Sequence, residues 1–445
     1  MPLPLPSFQT QAQAGPTTES SVIVPWKPDP EDSEHALIRP LFGLDHLLVC
    51  WNGWGGSEPI VAGTLDFQAA GGQDSDDVLL RALSKAIAAT VHEVPDLAVR
   101  TVKREGDLHL QYKPFASEKE LDAWIDKVIE IEEVDGSDVA SAFENARQKK
   151  TAPGNLLSPV EGRNEALIAV TWLKCKNGQQ QGLMLRGWHV LLDGLVILEV
   201  FRRIISNWSK ALDEFPSSLP IPSFTGADAA RLSPHALDCV PDLATRYKSY
   251  APDQSAWGTF LSAKEFGFPL ADHLIGKKAK WEHTQPPSRH HFRLSVDASQ
   301  TLFKKIKAQG YTINTFYAAV QIVAVLRLLR AEVPAKDAEP ITLPQLHTSN
   351  LRSFMTDESR VNTCSSAAEG LIAAADSKSW DEGLRKGISL DQLEEQVVWD
   401  IARQLKSSTA RARKDPLEMA CAATHGFWGQ FNAAGDAIAT GQLEK

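Results

Sequence analysis

The stretch GLMLRGWHVLLDGL, residues 182–195, opens as an apolar run from Gly182 to Trp188, reaches His189 and closes on Asp193-Gly194, before a second apolar run from Leu195 to Leu212. A short apolar run, a turn dipeptide and a longer apolar run read as strand, tight turn and helix. His189 then falls where the strand ends and the chain turns, a junction that projects side chains into clefts. An imidazole, with an ordinary pKa near ~6.5, takes up and returns a proton at neutral pH. His189 is therefore a candidate general base, with Trp188 beside it as a candidate packing or substrate-facing group. Asp193 can orient the imidazole as in a hydrolase triad, or point away toward a structural cation; the structural role is adopted here. Gly194 is expected to relieve backbone strain or take a positive φ behind the site, so that its loss distorts the loop.

Upstream, Ala166 to Lys174 reads as a strand joined to the first by a turn at Lys176-Asn177-Gly178-Gln179. From Asp76 the apolar spacing of Val78, Leu79, Leu83, Ile87 and Val91 predicts a helix ending before Pro95. Strands are expected at Leu97–Val102 and Leu108–Tyr112 around a hairpin turn at 104–107, then a helix over Glu118–Ile129. Downstream, the proline-rich stretch Phe215–Arg231 predicts a linker, with Gly276–Pro287 as another candidate break. A strand at His291–Val296 follows, then helices at Ala298–Gln309 and Thr315–Arg330, a strand or loop at Ile341–Arg352 and a helix at Leu390–Ala412. Interspersed strands and helices make the chain a mixed α/β protein, and the absence of a GxGxxG or phosphate-loop motif argues against a doubly wound nucleotide-binding fold.

With 445 residues, two or more domains are expected. The organisation read from the chain is an extended or disordered leader over 1–34, a first domain over 35–214, a linker or crossover over 215–287 and a second domain over 288–445. A net charge of −10 argues against a nucleic-acid or anionic-lipid surface, so the expected partner is a small molecule. Five cysteines without CxxC spacing suggest neither disulfides nor zinc, and no apolar run is long enough for a bilayer, which points to a cytoplasmic protein. The adjacent His290-His291 would face opposite ways on a strand, so no metal site is expected.

Four features in order resemble the acyltransferases of chloramphenicol acetyltransferase-like fold, a group that includes BAHD enzymes, fungal trichothecene 15-O-acetyltransferase-like proteins and peptide-synthetase condensation domains. They are LLRALSKAIAATVHEVPDLAVR (79–100), HVLLDG (189–194), HFRLSVDASQTLFKKIKAQGYTINTFYAAVQIVAVLRL (291–328) and LHTSNLR (346–352). The resemblance implies two pseudo-symmetric domains, each a mixed sheet flanked by helices, with a tunnel between them and His189 at its middle. It implies acyl transfer from acyl-CoA, acetyl-CoA foremost, as a co-substrate that is not permanently bound. The acceptor would be a hydroxyl of a small hydrophobic, terpenoid-like secondary metabolite, and no covalent enzyme intermediate would form. It further implies that Asp193 pairs with an arginine, by position Arg352, with an ordinary surface cation as the alternative; Asn350 and Ser353 are read either as tunnel lining or as plain loop polarity. A stand-alone monomeric fungal acetyltransferase is the expected type, because Trp188 stands where condensation domains carry a second histidine. Two other readings stay open: a condensation-like enzyme that couples or cyclises a metabolite without CoA, and a non-catalytic binding homologue.

The segment His425-Gly426-Phe427-Trp428-Gly429 lacks the aspartate of the BAHD DFGWG motif and is not equated with it. The small and polar residues from Ala433 to Lys445 lead to the expectation that the second domain lacks final strands. The WNGWGG loop, residues 51–56, offers Trp54 as a possible wall of an acceptor pocket, with a packed turn as the alternative. Lys406, Arg411, Arg413 and Lys414 are read either as CoA-phosphate contacts or as a solvated helix face. Ser365-Ser366 and Ser407-Ser408 lack GxSxG context, so a serine nucleophile is not expected.

Overall fold

The computed structural model describes residues 24–32, 35–41, 45, 48, 58–65, 76–104, 107–134, 139–152, 155, 157, 166–175, 181–213, 219–241, 293–330, 341–355 and 368–412. The WNGWGG loop with Trp54, the turn at 176–179, the His290-His291 pair, Ser365-Ser366, the Arg413-Lys414 pair and the segments at 425–429 and 433–445 lie outside these residues.

A central sheet carries the strand read first in the sequence. Its strands are β3 (Ile60–Leu65), β6 (Ile129–Val134), β7 (Ile168–Cys175) and β8 (Gln181–Gly187), in the spatial order β3-β8-β7-β6. β8 is antiparallel to both neighbours, whereas β6 runs parallel to β7. From Gly182 to Gly187 every residue of β8 is buried, as a strand covered on both faces must be. Leu183, Leu185 and Trp172 join one apolar core with helices α1 (Asp76–Glu93) and α4 (Val196–Asp213). Met184 and Leu173, one residue out of phase and so on the other face, meet Ala146 and Phe143 of α3 (Val139–Lys150).

Helix α1 begins on Asp76 and Asp77, whose charges favour the helix dipole. It stops before Pro95, because the residue preceding a proline is driven out of helical geometry. α2 (Glu118–Val128) is started by Ser117, whose hydroxyl accepts from the Glu120 amide at 3.3 Å. Edge-to-face stacking of Trp172 and Trp208, with centroids 6.0 Å apart, ties α4 to β7.

A second sheet in the same half has the antiparallel order β1-β2-β5-β4, from β1 (Lys27–Pro28), β2 (Leu37–Pro40), β4 (Arg100–Arg104) and β5 (Asp107–Tyr112). Here the leader expected over 1–34 is corrected in part, since from Val24 to Asp32 it packs on the protein. Asp29 is buried, bonded to Arg104 at 2.8 Å and to Gln111, and Asp32 pairs with Lys113 at 2.8 Å. Of the acidic residues that suggested solvation, Asp29 and Asp32 are ion-pair partners of Arg104 and Arg100 on β4, and Asp32 also of Lys113 just past β5. The strand expected at Leu97–Val102 begins instead as a 3-10 turn, Pro95–Ala98, with Asp96 buried and bonded to Ser233. Residues 219–241, expected in a linker, pack on this half: Trp26 donates to the Ser233 carbonyl at 2.9 Å and Arg231 to that of His92 at 2.7 Å.

The second half has its own apolar core. Helices α6 (Ile313–Arg330) and α8 (Leu390–Ala412) supply Leu326, Ile401 and Leu405, and α7 (Lys378–Arg385) supplies Trp380. Against them lies an antiparallel strand pair, β9 (Thr342–Asn350) and β10 (Ala368–Asp376). The strand expected at His291–Val296 is overturned over its described residues, because Val296 opens helix α5 (Val296–Ala308). Ser295 caps that helix, accepting from the Ala298 amide at 3.2 Å, so Ser-x-x geometry overrides the apolar run. Gly310, with φ 75°, closes it, and Lys406 donates to the Gly310 carbonyl at 3.0 Å. α6 is also long and apolar enough by composition to cross a membrane, but its buried Ala319, Ile322 and Leu326 belong to this core.

Candidate active site

β8 ends at Gly187, and α4 begins at Val196. The connection is pinned at both ends. Gly187 donates to the Pro59 carbonyl at 3.3 Å, and Trp188 to that of Leu167 at 2.8 Å; Leu191 and Leu192 return to the Trp188 carbonyl at 3.0 and 3.1 Å. Trp188, Val190, Leu191 and Leu192 are buried in the first core, so the short segment carrying His189 is held by packing as well as by hydrogen bonds.

His189 itself is only partly buried, while its Nδ1 is enclosed and finds no partner on another described residue. Burial pulls its pKa below the ordinary 6.5, against a main-chain hydrogen bond within the same residue and the charge of Asp193. At neutral pH the ring is therefore neutral and can accept a proton.

Asp193 has two different tasks. Its Oδ1 accepts from the amides of Leu195 and Val196, each at 2.9 Å, capping α4. Its Oδ2 lies 2.5 Å from Nη1 of Arg352, which sits in the 3-10 turn Leu351–Phe354 after β9. Both side chains are nearly enclosed, so this is a buried ion pair joining the site to the second half. The carboxylate thus acts on His189 through its charge and through the start of α4.

Gly194 departs from expectation. It is absent from the positive-φ residues, it is exposed, and a Cβ placed there would meet nothing within 4 Å. The tighter glycine of the junction is Gly187, whose Cβ would come within 2.3 Å of Leu192 Cδ1, so that a side chain there requires Leu192 to shift. Backbone strain is not needed at Gly194 because Asp193 already satisfies the first amides of α4. Asn350 ends β9 opposite Ala368.

Sequence reasoning also passed over Arg186 and Glu58. Arg186 is enclosed behind Gly187 and donates to the Asn155 carbonyl at 2.8 Å and to Glu130 at 3.2 Å. Its signal was a charged residue inside an otherwise apolar strand, which survives only when paired. Glu58, whose side chain is fully enclosed, lies 3.4 Å from it, and burial pushes its carboxyl up to about 7 against the pull of Arg186. Among the described residues no group of three or more His, Cys, Asp or Glu side chains can hold a metal ion.

No family model and no curated protein matches this sequence. Solved structures do. The trichothecene 15-O-acetyltransferase of Fusarium sporotrichioides superposes with a TM-score of 0.63 at 14% identity, over 93% of this chain and 80% of that one. The epimerization domain from the third module of tyrocidine synthetase B gives 0.46 at 13% identity, over 88% and 77%. The first condensation domain of the calcium-dependent antibiotic synthetase gives 0.43 at 15%, over 82% and 74%. With sheets flanked by helices and this superposition on the Fusarium enzyme, the chain has the chloramphenicol acetyltransferase-like fold.

Proposed function

We propose that this chain is an acyltransferase that moves an acyl group, acetyl foremost, from acyl-CoA to a hydroxyl of a small hydrophobic secondary metabolite of terpenoid type. The observation that supports it is a histidine kept neutral by burial, held on a rigid strand-to-helix junction whose aspartate is engaged elsewhere. The likeness in fold to an enzyme named as a trichothecene 15-O-acetyltransferase points the same way.

In this reading His189 takes the proton from the acceptor hydroxyl as its oxygen attacks the thioester carbonyl. When the tetrahedral intermediate collapses, the C–S bond breaks and the imidazolium returns the proton to the departing thiolate. Ester and free CoA thiol are the products, and no bond to the protein forms. Asp193 and Arg352 hold the junction in place, and the charge of Asp193 favours the imidazolium that forms transiently.

The test is incubation with acetyl-CoA and a panel of terpenoid alcohols, followed by thiol titration and mass spectrometry of the acceptor. Acetylated product with matching thiol release, lost in His189→Ala, is the expected result. Coupling or cyclisation of a metabolite with no thiol release under any acceptor would replace this reading with CoA-independent condensation chemistry.

A further inference from the structure

We propose that Glu58 and Arg186 are positioning residues for His189: together they clamp the outgoing end of β8 to the segment leading into β3, and so set how deeply the imidazole is held. The proposal deepens the reading of His189 as the base.

Two consecutive residues on each side form the clamp. Arg186 Nη1 reaches Glu58 Oε2, while the next amide, Gly187, donates to the carbonyl of Pro59, the residue after Glu58. A side-chain link and a main-chain link therefore cross the same gap one residue apart. The amide after that, Trp188, is fixed to Leu167 on the opposite side of β8. His189 is the next residue, so little freedom remains between the clamp and the imidazole.

The clamp extends under the sheet. Glu58 also accepts from the Leu157 amide, and Arg186 Nη1 from the same guanidinium donates to the Asn155 carbonyl, so both tie down the segment after α3. Arg186 Nη2 bonds Glu130 on β6, which accepts from Thr171 at 2.8 Å and pairs with Lys150 at 2.9 Å. A lysine offers a single ammonium point and cannot span these acceptors as a planar guanidinium does. The charged groups facing Glu58 are Arg186 and Glu130, and Asp193 is the charge acting on His189. Although burial raises it, hydrogen bonds and charges from Lys150 and Arg186 bring Glu130 below its ordinary value, which leaves Glu58 as the carboxyl of the pair that protonates first.

The experiment follows the ring resonances of His189 by NMR against pH in histidine-labelled full-length protein, the signal being assigned by its loss in His189→Gln. In the wild type the His189 midpoint is expected below the ordinary 6.5, because the ring is buried. Releasing the clamp in Arg186→Met lets water reach the ring, and its midpoint moves up toward 6.5, with Glu58→Gln moving it in the same direction and Arg186→Lys restoring it only in part. Arg330→Met, which removes an ion-paired, largely enclosed guanidinium from the second core, leaves the midpoint where it was and controls for general loss of stability. An unmoved His189 in folded Arg186→Met overturns the proposal; should that variant fail to fold, an unmoved His189 in Glu58→Gln does so. The readout needs no substrate, so a wild type that releases no CoA counts against acyl transfer alone, and an unmoved histidine against the clamp alone.

Discussion

The two cores of this protein treat buried charge differently. In the second, Arg330 grips Asp381 through Nε at 2.8 Å and Nη2 at 3.1 Å, Ser377 donates to the carboxylate at 2.5 Å, and the group locks α6 to α7 and, through Ser377, to Ile341 ahead of β9. In the first, Arg186 is shared among Glu58, Glu130 and the main-chain carbonyls of Lys150 and Asn155, its Nε has no partner among the described residues, and it lies three residues from His189. A closed pair contributes to stability and specificity of packing; a distributed, incompletely satisfied one adjoins the candidate site. The second half's link to that site among the described residues is Arg352, and it acts on Asp193.

The sharpest division between the halves is chemical. His189→Ala is expected to lower turnover by about 10²–10⁴-fold, the usual contribution of a general base, with the melting temperature unchanged, as thiol release and calorimetry will show. An unchanged rate would remove His189 from the mechanism. Asp193→Ala strips a helix cap and breaks the buried ion pair with Arg352, so a stability loss of roughly 3–5 kcal/mol is expected in urea titration. Pairing it with Arg352→Ala in a double-mutant cycle measures the coupling between the halves, and additive losses would mean that they are independent.

Two glycines seven residues apart test the packing of the junction. Gly187→Ala must displace Leu192 and is expected to cost about 1–3 kcal/mol, as overpacking generally does. Gly194→Ala meets open space without a positive φ and should stay within about 0.5 kcal/mol of the wild type. If the ranking reverses, the short junction is not held as described.

The smallest effect is electrostatic and confined to the first half. Glu58 holds its proton to about 7 in the folded state against an ordinary 4.5, and Asp96 to about 6 against 3.8, in both cases through burial. The folded protein then binds more protons than the unfolded chain between these values, so this part of the stability is present at low pH and declines as pH rises from 4.5 to about 7. Glu58→Gln should flatten that decline in denaturation midpoints measured across the window. A slope unchanged in the variant would show that Glu58 does not carry it.

Much of the architecture was legible because it depends on local patterns. The apolar spacing of Leu79, Leu83 and Ile87, the stop at Pro95, and the run Gly182–Trp188 feeding Asp193-Gly194 are properties of contiguous residues, and the elements appear within a few positions of where they were read. Less was legible where a distant partner decides. Asp29 and Asp32 look like solvated leader residues until Arg104 and Lys113 are placed beside them. Strand β6 follows α2 without a break and is a strand only because β7 offers it a parallel ladder. Ser295, by contrast, was a local signal outweighed in the reading by the apolar run beside it.

By itself the sequence determined that a histidine would stand at the end of a buried strand, followed by an aspartate at the start of a helix, because periodicity and turn chemistry act over a few residues. Only the tertiary structure decided what surrounds them: Arg352, 159 positions away from Asp193, as the aspartate's partner, and Glu58, 128 positions from Arg186, as a brace. Burial lowers the pKa of His189 and raises that of Glu58, and neither burial nor long-range pairing is a property of neighbouring residues in the chain.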